Sequence, residues 1–168
     1  NPQRGARQRQ NLANDQAALE AIRGIGVQVA PFDLPDLPVQ AVGFILGTEA
    51  AAAFDLPTLN AQLDSMRAAP EESRWPDSFR TSRFVPAVEY LQAQRVRMRI
   101  IEEVHEALGD FDLFIGSNLA LTNLTGHPEI SMPNGFFQGS PTSLRFTGKL
   151  FGEGEILLRT SAKAGHGM

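Results

Sequence analysis

The chain has 168 residues, 42% of them hydrophobic and 20% charged, with a net charge of -4 and no cysteine. That length fits one domain able to bury a core without covalent staples, and the ordinary composition excludes a disordered or fibrous class. The mild negative charge argues against a nucleic-acid partner held by phosphate electrostatics, and the lack of cysteine removes disulfides, a thiol nucleophile and thiolate metal sites.

Asn1 to Asn11 is polar, carries Arg4, Arg7 and Arg9, and shows no periodicity, so residues 1–11 are read as a flexible lead-in and residues 12–168 as a single α/β domain. Nothing approaches the roughly 20 apolar residues of a membrane span, and the amino end has no apolar stretch behind its arginines, so neither a membrane partner nor a signal peptide is expected in the segment. The compartment stays open, with the cytoplasm preferred.

From Leu12 to Arg23 the residues Leu12, Ala18, Leu19 and Ile22 fall at helical spacing, and Gly24 and Gly26 supply a stop. Val27 to Phe32 alternates as a short strand. Asp33 to Pro38 is a turn-rich connector, and Pro38 is placed to open a helix from Val39 to about Phe54. Glu49 on that helix is read as solvated in preference to buried and hydrogen-bonded. Leu56 to Ala69 can form a further helix with Leu59, Leu63 and Met66 on one side, and Ala69 to Asp77 is a polar loop holding Trp75.

The longest helix is predicted from Pro86 to Leu108, with Val88, Leu91, Val96, Ile100, Val104 and Ala107 or Leu108 as its buried stripe and Gly109 as its end. Arg95, Arg97 and Arg99 read as a solvated face, because alternate residues on a helix diverge and cannot converge on one anion. Phe111 to Gly116 is apolar nearly throughout, as parallel strands covered on both faces are. The stretch from Leu121 to Gly148 is punctuated by Gly and Pro at short intervals and reads as strand, turn, strand, with Asn134-Gly135 as the turn between strands. An amphipathic helix follows from Glu153.

Asn123, Gly126, Pro128, Pro133, Gly135, Pro141 and Glu153, taken in that order, resemble the carboxy-terminal end of enzymes of the amidase signature family. Earlier stretches match too: Ile25-Gly26-Val27 and Leu34-Pro35, Glu49 with the alanines up to Phe54, Trp75-Pro76 with Phe79-Arg80, a helix with Tyr90, Ala93 and Arg97, and Phe111-Asp112. The Pro-Thr pair and long loop that usually follow the last of these are missing, and Gly116 passes almost directly to Leu121. The resemblance implies a partial amidase fold, a small mixed sheet of about four strands flanked by helices.

Amide hydrolysis needs an activated nucleophile, a proton donor and an oxyanion hole. The resembled family is known for supplying them with two serines and a lysine in a Gly- and Ser-rich loop. This sequence has no Gly-Gly and no Ser-Ser pair, and its only lysines are Lys149 and Lys163. The resemblance therefore implies the carboxy-terminal part of an amide hydrolase that lacks the catalytic half and is inactive alone. Its implied partners are that missing amino-terminal half, a small amide substrate and, through exposed apolar surface, further copies of the chain. The alternative is a free-standing binding or scaffold domain derived from an amidase.

No cofactor is implied, and His105, His127 and His166 have no metal-ligand spacing. No catalytic residue is assigned within the segment. In the resembled enzymes the stretch holding Thr122, Asn123, Gly126 and His127 packs close to the catalytic centre, which makes these four the substrate-cleft candidates. The local alternative is that Asn123 and Thr125 brace a turn with His127 packed beneath it.

Overall fold

A computed structural model describes residues 2–66, 76–116 and 118–164, apart from the side chains of residue 2 and of 161–164. Trp75 and His166, the end of the helix expected to reach Ala69, and most of the loop after it lie outside these residues. The chain divides into two compact units, one formed by Asn1–Pro35, Val104–Thr122 and Gly126–Met168, the other by Asp36–Glu103 and Asn123–Thr125. No described helix is long and apolar enough to cross a membrane.

The first unit is a small antiparallel sheet flanked by helices. Helix α1 spans Pro2–Gly24 and so includes the residues expected to be a loose lead-in. Most of α1 is exposed, so its amino-terminal turns carry no apolar period to read. Gln, Arg and Ala nevertheless favour helix intrinsically. Gly26, at φ 86, closes the helix by donating to Arg23 O.

Strands β1 (Leu113–Ile115), β2 (Glu129–Phe137) and β3 (Ser140–Gly148) pair in the order β1-β3-β2, both pairs antiparallel. Val27 to Phe32 does not join them, which leaves three strands among the described residues instead of about four. Val29 packs on the core and Phe32 on aromatic rings, while Val27 is exposed, so the segment is buried at single points and not along one face. β1 is antiparallel, contrary to the parallel expectation. Its continuous apolarity has the expected cause, cover on both faces: Leu113 and Ile115 join the core, while Phe114 stacks on Phe32.

The core joins Ala18 and Ile22 of α1 to Leu144 and Phe146 of β3, with Val29, Leu113, Ile115, Ile130 and Met132 around them. Helix α7 (Glu153–Ala164) adds Ile156, which sits so close to Gly148 that a Cβ there would lie 2.6 Å from Ile156 Cδ1. The turn between β2 and β3 is Gln138-Gly139, both at positive φ, not Asn134-Gly135. Asn134-Gly135 lies inside β2, where the register shifts between Pro133 and Gly135. Pro133 has no N–H for the ladder, and the extra residue Asn134 bulges out to meet α1. Asn14 Nδ2 donates to Thr142 Oγ1 at 2.8 Å, Thr142 Oγ1 to Asn134 Oδ1 at 2.7 Å, and Asn134 Nδ2 to Asp15 Oδ1 at 2.6 Å.

The second unit is helical. The helix expected from Val39 to Phe54 is interrupted at Gly43: a 3-10 turn covers Val39–Val42 and α2 covers Phe44–Ala53. The next expected helix is likewise divided, into α3 (Asp55–Leu59) and a 3-10 turn at Gln62–Ser65, with Ala61 at φ 57 between them. Leu63 is buried, but Leu59 and Met66 are exposed. Helix α4 (Asp77–Thr81) places Phe79 in a stack on Phe54, ring centroids 4.5 Å apart.

Helix α5 runs over Ala87–Leu108, and the division between the units falls within it after Glu103. Ala93, Ile100, Val104 and Leu108 form its buried stripe, whereas Val88 and Leu91, expected to share it, are exposed. They belong instead to a second apolar row, with Phe84 at 85%, Val88 at 65%, Leu91 at 60% and Met98 at 55% exposure. Val88, Leu91 and Met98 share one side of α5, while Phe84 precedes the helix in a 3-10 turn at Ser82–Phe84. Arg95 and Arg99 are exposed as expected, and Arg97 pairs with Glu49.

Candidate functional site

Leu121 to Thr125 is helix, not strand: α6 spans Leu119–Thr125. Asn118 Oδ1 caps it by accepting from Leu121 N at 3.2 Å, and Gly126 ends it at φ 78, donating to Thr122 O at 2.8 Å. An Asn and a Gly enclosing seven residues were a helix signal. The β-branched Thr122 and Thr125 obscured it.

Of the four candidate residues, Thr122, Gly126 and His127 lie in the first unit and Asn123 in the second. Thr122 and His127 are buried, whereas Asn123 and Gly126 are exposed. Burial first, and then the neighbouring positive charge of His105, hold the His127 imidazole below its ordinary value of 6.5. At neutral pH the ring is therefore uncharged, able to donate at one nitrogen and accept at the other.

A charged pair that the sequence did not single out follows His127 directly. Glu129 and Thr147 are partners across β2 and β3. Thr147 Oγ1 donates to Glu129 Oε2 at 3.5 Å, and Arg145 Nε lies 3.5 Å from Glu129 Oε1. The Glu129 side chain is only 13% exposed, so its carboxylate is held on the sheet by these two partners. Two-residue alternation on β3 puts Arg145 and Thr147 on one face, a signal visible only once the register is known.

In the second unit Glu49 takes the hydrogen-bonded role that the sequence reading set aside. Its Oε1 accepts from Tyr90 Oη at 3.1 Å, Gln94 Nε2 at 3.0 Å and Arg97 Nη1 at 3.2 Å. Tyr90, Gln94 and Arg97 fall at helical spacing on one side of α5, which is why a single carboxylate on α2 reaches all three. Among the described residues no group of three or more His, Asp or Glu residues is placed to hold a metal ion.

No protein-family profile and no curated protein matches the sequence. Solved structures do match. The crystal structure of PAM12A is similar with a TM-score of 0.73 at 17% identity, covering 90% of this chain and 39% of that one. A structure described as an amidase gives 0.70 at 18% identity, covering 86% and 39%. A bacterial aryl acylamidase of the amidase signature enzymes gives 0.64 at 13% identity, covering 93% and 42%. The chain thus spans about two-fifths of the length of these structures, and it carries the fold of a part of the amidase-signature enzymes.

Proposed function

We propose that the chain forms the carboxy-terminal portion of an amidase-signature hydrolase of amide bonds, completing the sheet and walling the substrate cleft. The observation that carries this reading is the fold match over 90% of this chain but only 39% of the neighbour's chain. The exposed Val88, Leu91 and Met98 on one side of α5 support it, because uncovered apolar side chains are what a severed contact leaves behind. So does the absence from this sequence of a Gly- and Ser-rich loop with a preceding lysine. In this reading Thr122, Asn123, Gly126 and His127 line the cleft. The nucleophile comes from an amino-terminal half, the substrate is a small amide, and the enzyme works in the cytoplasm. The chain alone is inactive and self-associates through its apolar surface.

The test is the native product in its source cells, captured with an antibody to this segment, mapped by peptides and treated with a fluorophosphonate probe. A labelled band much larger than this chain, with peptides from a Gly- and Ser-rich loop, is the expected result. An unlabelled band of the chain's own size, sedimenting as a monomer that binds no apolar dye, overturns the reading in favour of a free-standing binding domain.

A further inference from the structure

Asn134-Gly135 is the one Asn-Gly pair in the sequence, and it stands at the bulge of β2 where α1 meets the hairpin. Such a pair is open to a spontaneous reaction. The Gly135 backbone nitrogen attacks the Asn134 side-chain carbonyl carbon and gives up its proton, the amide nitrogen leaves as ammonia, and water opens the cyclic imide to aspartate or isoaspartate. Glycine favours the attack because it has no Cβ to crowd the nitrogen. Both residues have a structural reason to be there. A Cβ on residue 135 would lie 2.6 Å from Asn14 Cγ and Nδ2, so any other residue displaces Asn14 from its bond to Thr142. Asn134 accepts from Thr142 through Oδ1 and donates to Asp15 through Nδ2, and a carboxamide supplies both roles.

The docked helix restrains the pair that its own packing requires. Ring closure turns the side-chain carbonyl carbon over the Gly135 nitrogen, while the bonds on Oδ1 and Nδ2 hold the amide planar and aimed at Thr142 and α1. Those bonds must release before the ring can close. The product then removes the donor: with aspartate at 134, an oxygen takes the place of the nitrogen that donated to Asp15 Oδ1 at 2.6 Å, and two carboxylates face each other. Isoaspartate also adds a backbone carbon within β2. We propose that Asn134 is a deamidation site gated by α1, protected while the helix is docked and, once converted, loosening the turns of α1 ahead of Ala18. Ala18 and Ile22 stay in the core, so the rest of the helix remains in place. The site depends on the packing of the first unit alone and not on amide hydrolysis.

Peptide mass spectrometry of the whole chain, incubated in mildly alkaline buffer, follows the amide-to-acid conversion of Asn134, with the same chain in urea as the ungated reference. The native chain should convert at least about tenfold more slowly than the unfolded one. Asp15→Ala, which unties Nδ2, should speed native conversion about three- to tenfold. Hydrogen exchange reads the consequence. Asn134→Asp should speed amide exchange over residues 10–15 by about three- to tenfold, with residues 18–22 unchanged. Asp15→Asn in the same chain should bring exchange back towards the parent, because the carboxamide now at 15 donates to the carboxylate at 134, a rescue that a general loss of folding would not show. The proposal is overturned by conversion as fast in the native chain as in urea, by none in either, by an unchanged rate in Asp15→Ala, by parental exchange in Asn134→Asp, or by a double variant no better than that single one.

Discussion

Replacing Glu49 by Ala removes in one step the acceptor for Tyr90 Oη, Gln94 Nε2 and Arg97 Nη1. A hydrogen bond to a charged group contributes about 1.5–3 kcal/mol when it is well shielded. Here the side chains of Glu49 and Arg97 are 41% and 28% exposed, so water recovers part of each loss. Assigning roughly 0.7 kcal/mol to each of the three bonds gives a destabilisation of about 2 kcal/mol for Glu49→Ala. Glu49→Gln keeps an acceptor oxygen and loses only the charge, which brings the cost to about 1 kcal/mol. Urea unfolding followed by circular dichroism measures both. Because the three donors share one carboxylate, Tyr90→Phe should cost about 0.7 kcal/mol in the parent and almost nothing in Glu49→Ala. A Glu49→Ala stability within about 0.5 kcal/mol of the parent, or additivity of the two changes, rules out a carboxylate shared by the three donors.

Two further outcomes follow from the first unit. Its folded state holds the His127 imidazole below the ordinary 6.5, so the unfolded chain binds the proton more readily. The stability this contributes is fully present above about pH 6.5 and is lost as pH falls below it; His127→Gln should flatten the pH dependence of the urea midpoint on the acid side of neutrality, and an unchanged slope would count against a buried neutral ring. Gly148→Ala places a methyl 2.6 Å from Ile156 Cδ1 and should cost about 1–3 kcal/mol through overpacking. Ile156→Ala removes both Cδ1 and Cγ1, 2.6 and 2.7 Å from the new methyl, so Gly148→Ala should cost clearly less in an Ile156→Ala background than in the parent; an equal cost in both backgrounds would show that α7 does not pack as described.

What could be read from the sequence tracked where apolar side chains are covered. The span of α5 was legible because Ile100, Val104 and Leu108 repeat at helical spacing against a core. Its exposed second row was not separable from that stripe, since both have the same composition and only packing tells them apart. The carboxy-terminal order of strand, turn, strand and helix held for β2, β3 and α7. The turn moved from Asn134-Gly135 to Gln138-Gly139 because Pro133 forces a bulge within β2. α1 was hidden at its amino end for the opposite reason, a mostly exposed helix having no stripe to show. At the candidate site the sequence pointed to His127 and Thr122, both buried, but the Glu129–Arg145 pair depends on a cross-strand register that spacing does not encode. Glu49 was misread because its three donors lie more than forty residues further along the chain.

The chain of hydrogen bonds from Asn14 through Thr142 and Asn134 to Asp15 has a consequence for how α1 finds its place. Among the described residues Ala18 and Ile22 are the buried anchors of that long helix in the core, too few to distinguish the observed alignment from one slipped by a turn, about 5.4 Å along its axis. A slipped helix would keep much of its apolar contact. It would also carry Asn14 away from Thr142 and Asp15 away from Asn134, breaking both hydrogen bonds between the helix and the hairpin while the Thr142–Asn134 bond stayed within the hairpin. Greasy contact therefore holds α1 against the hairpin, and the amide and hydroxyl groups at the bulge decide which of its turns lies there.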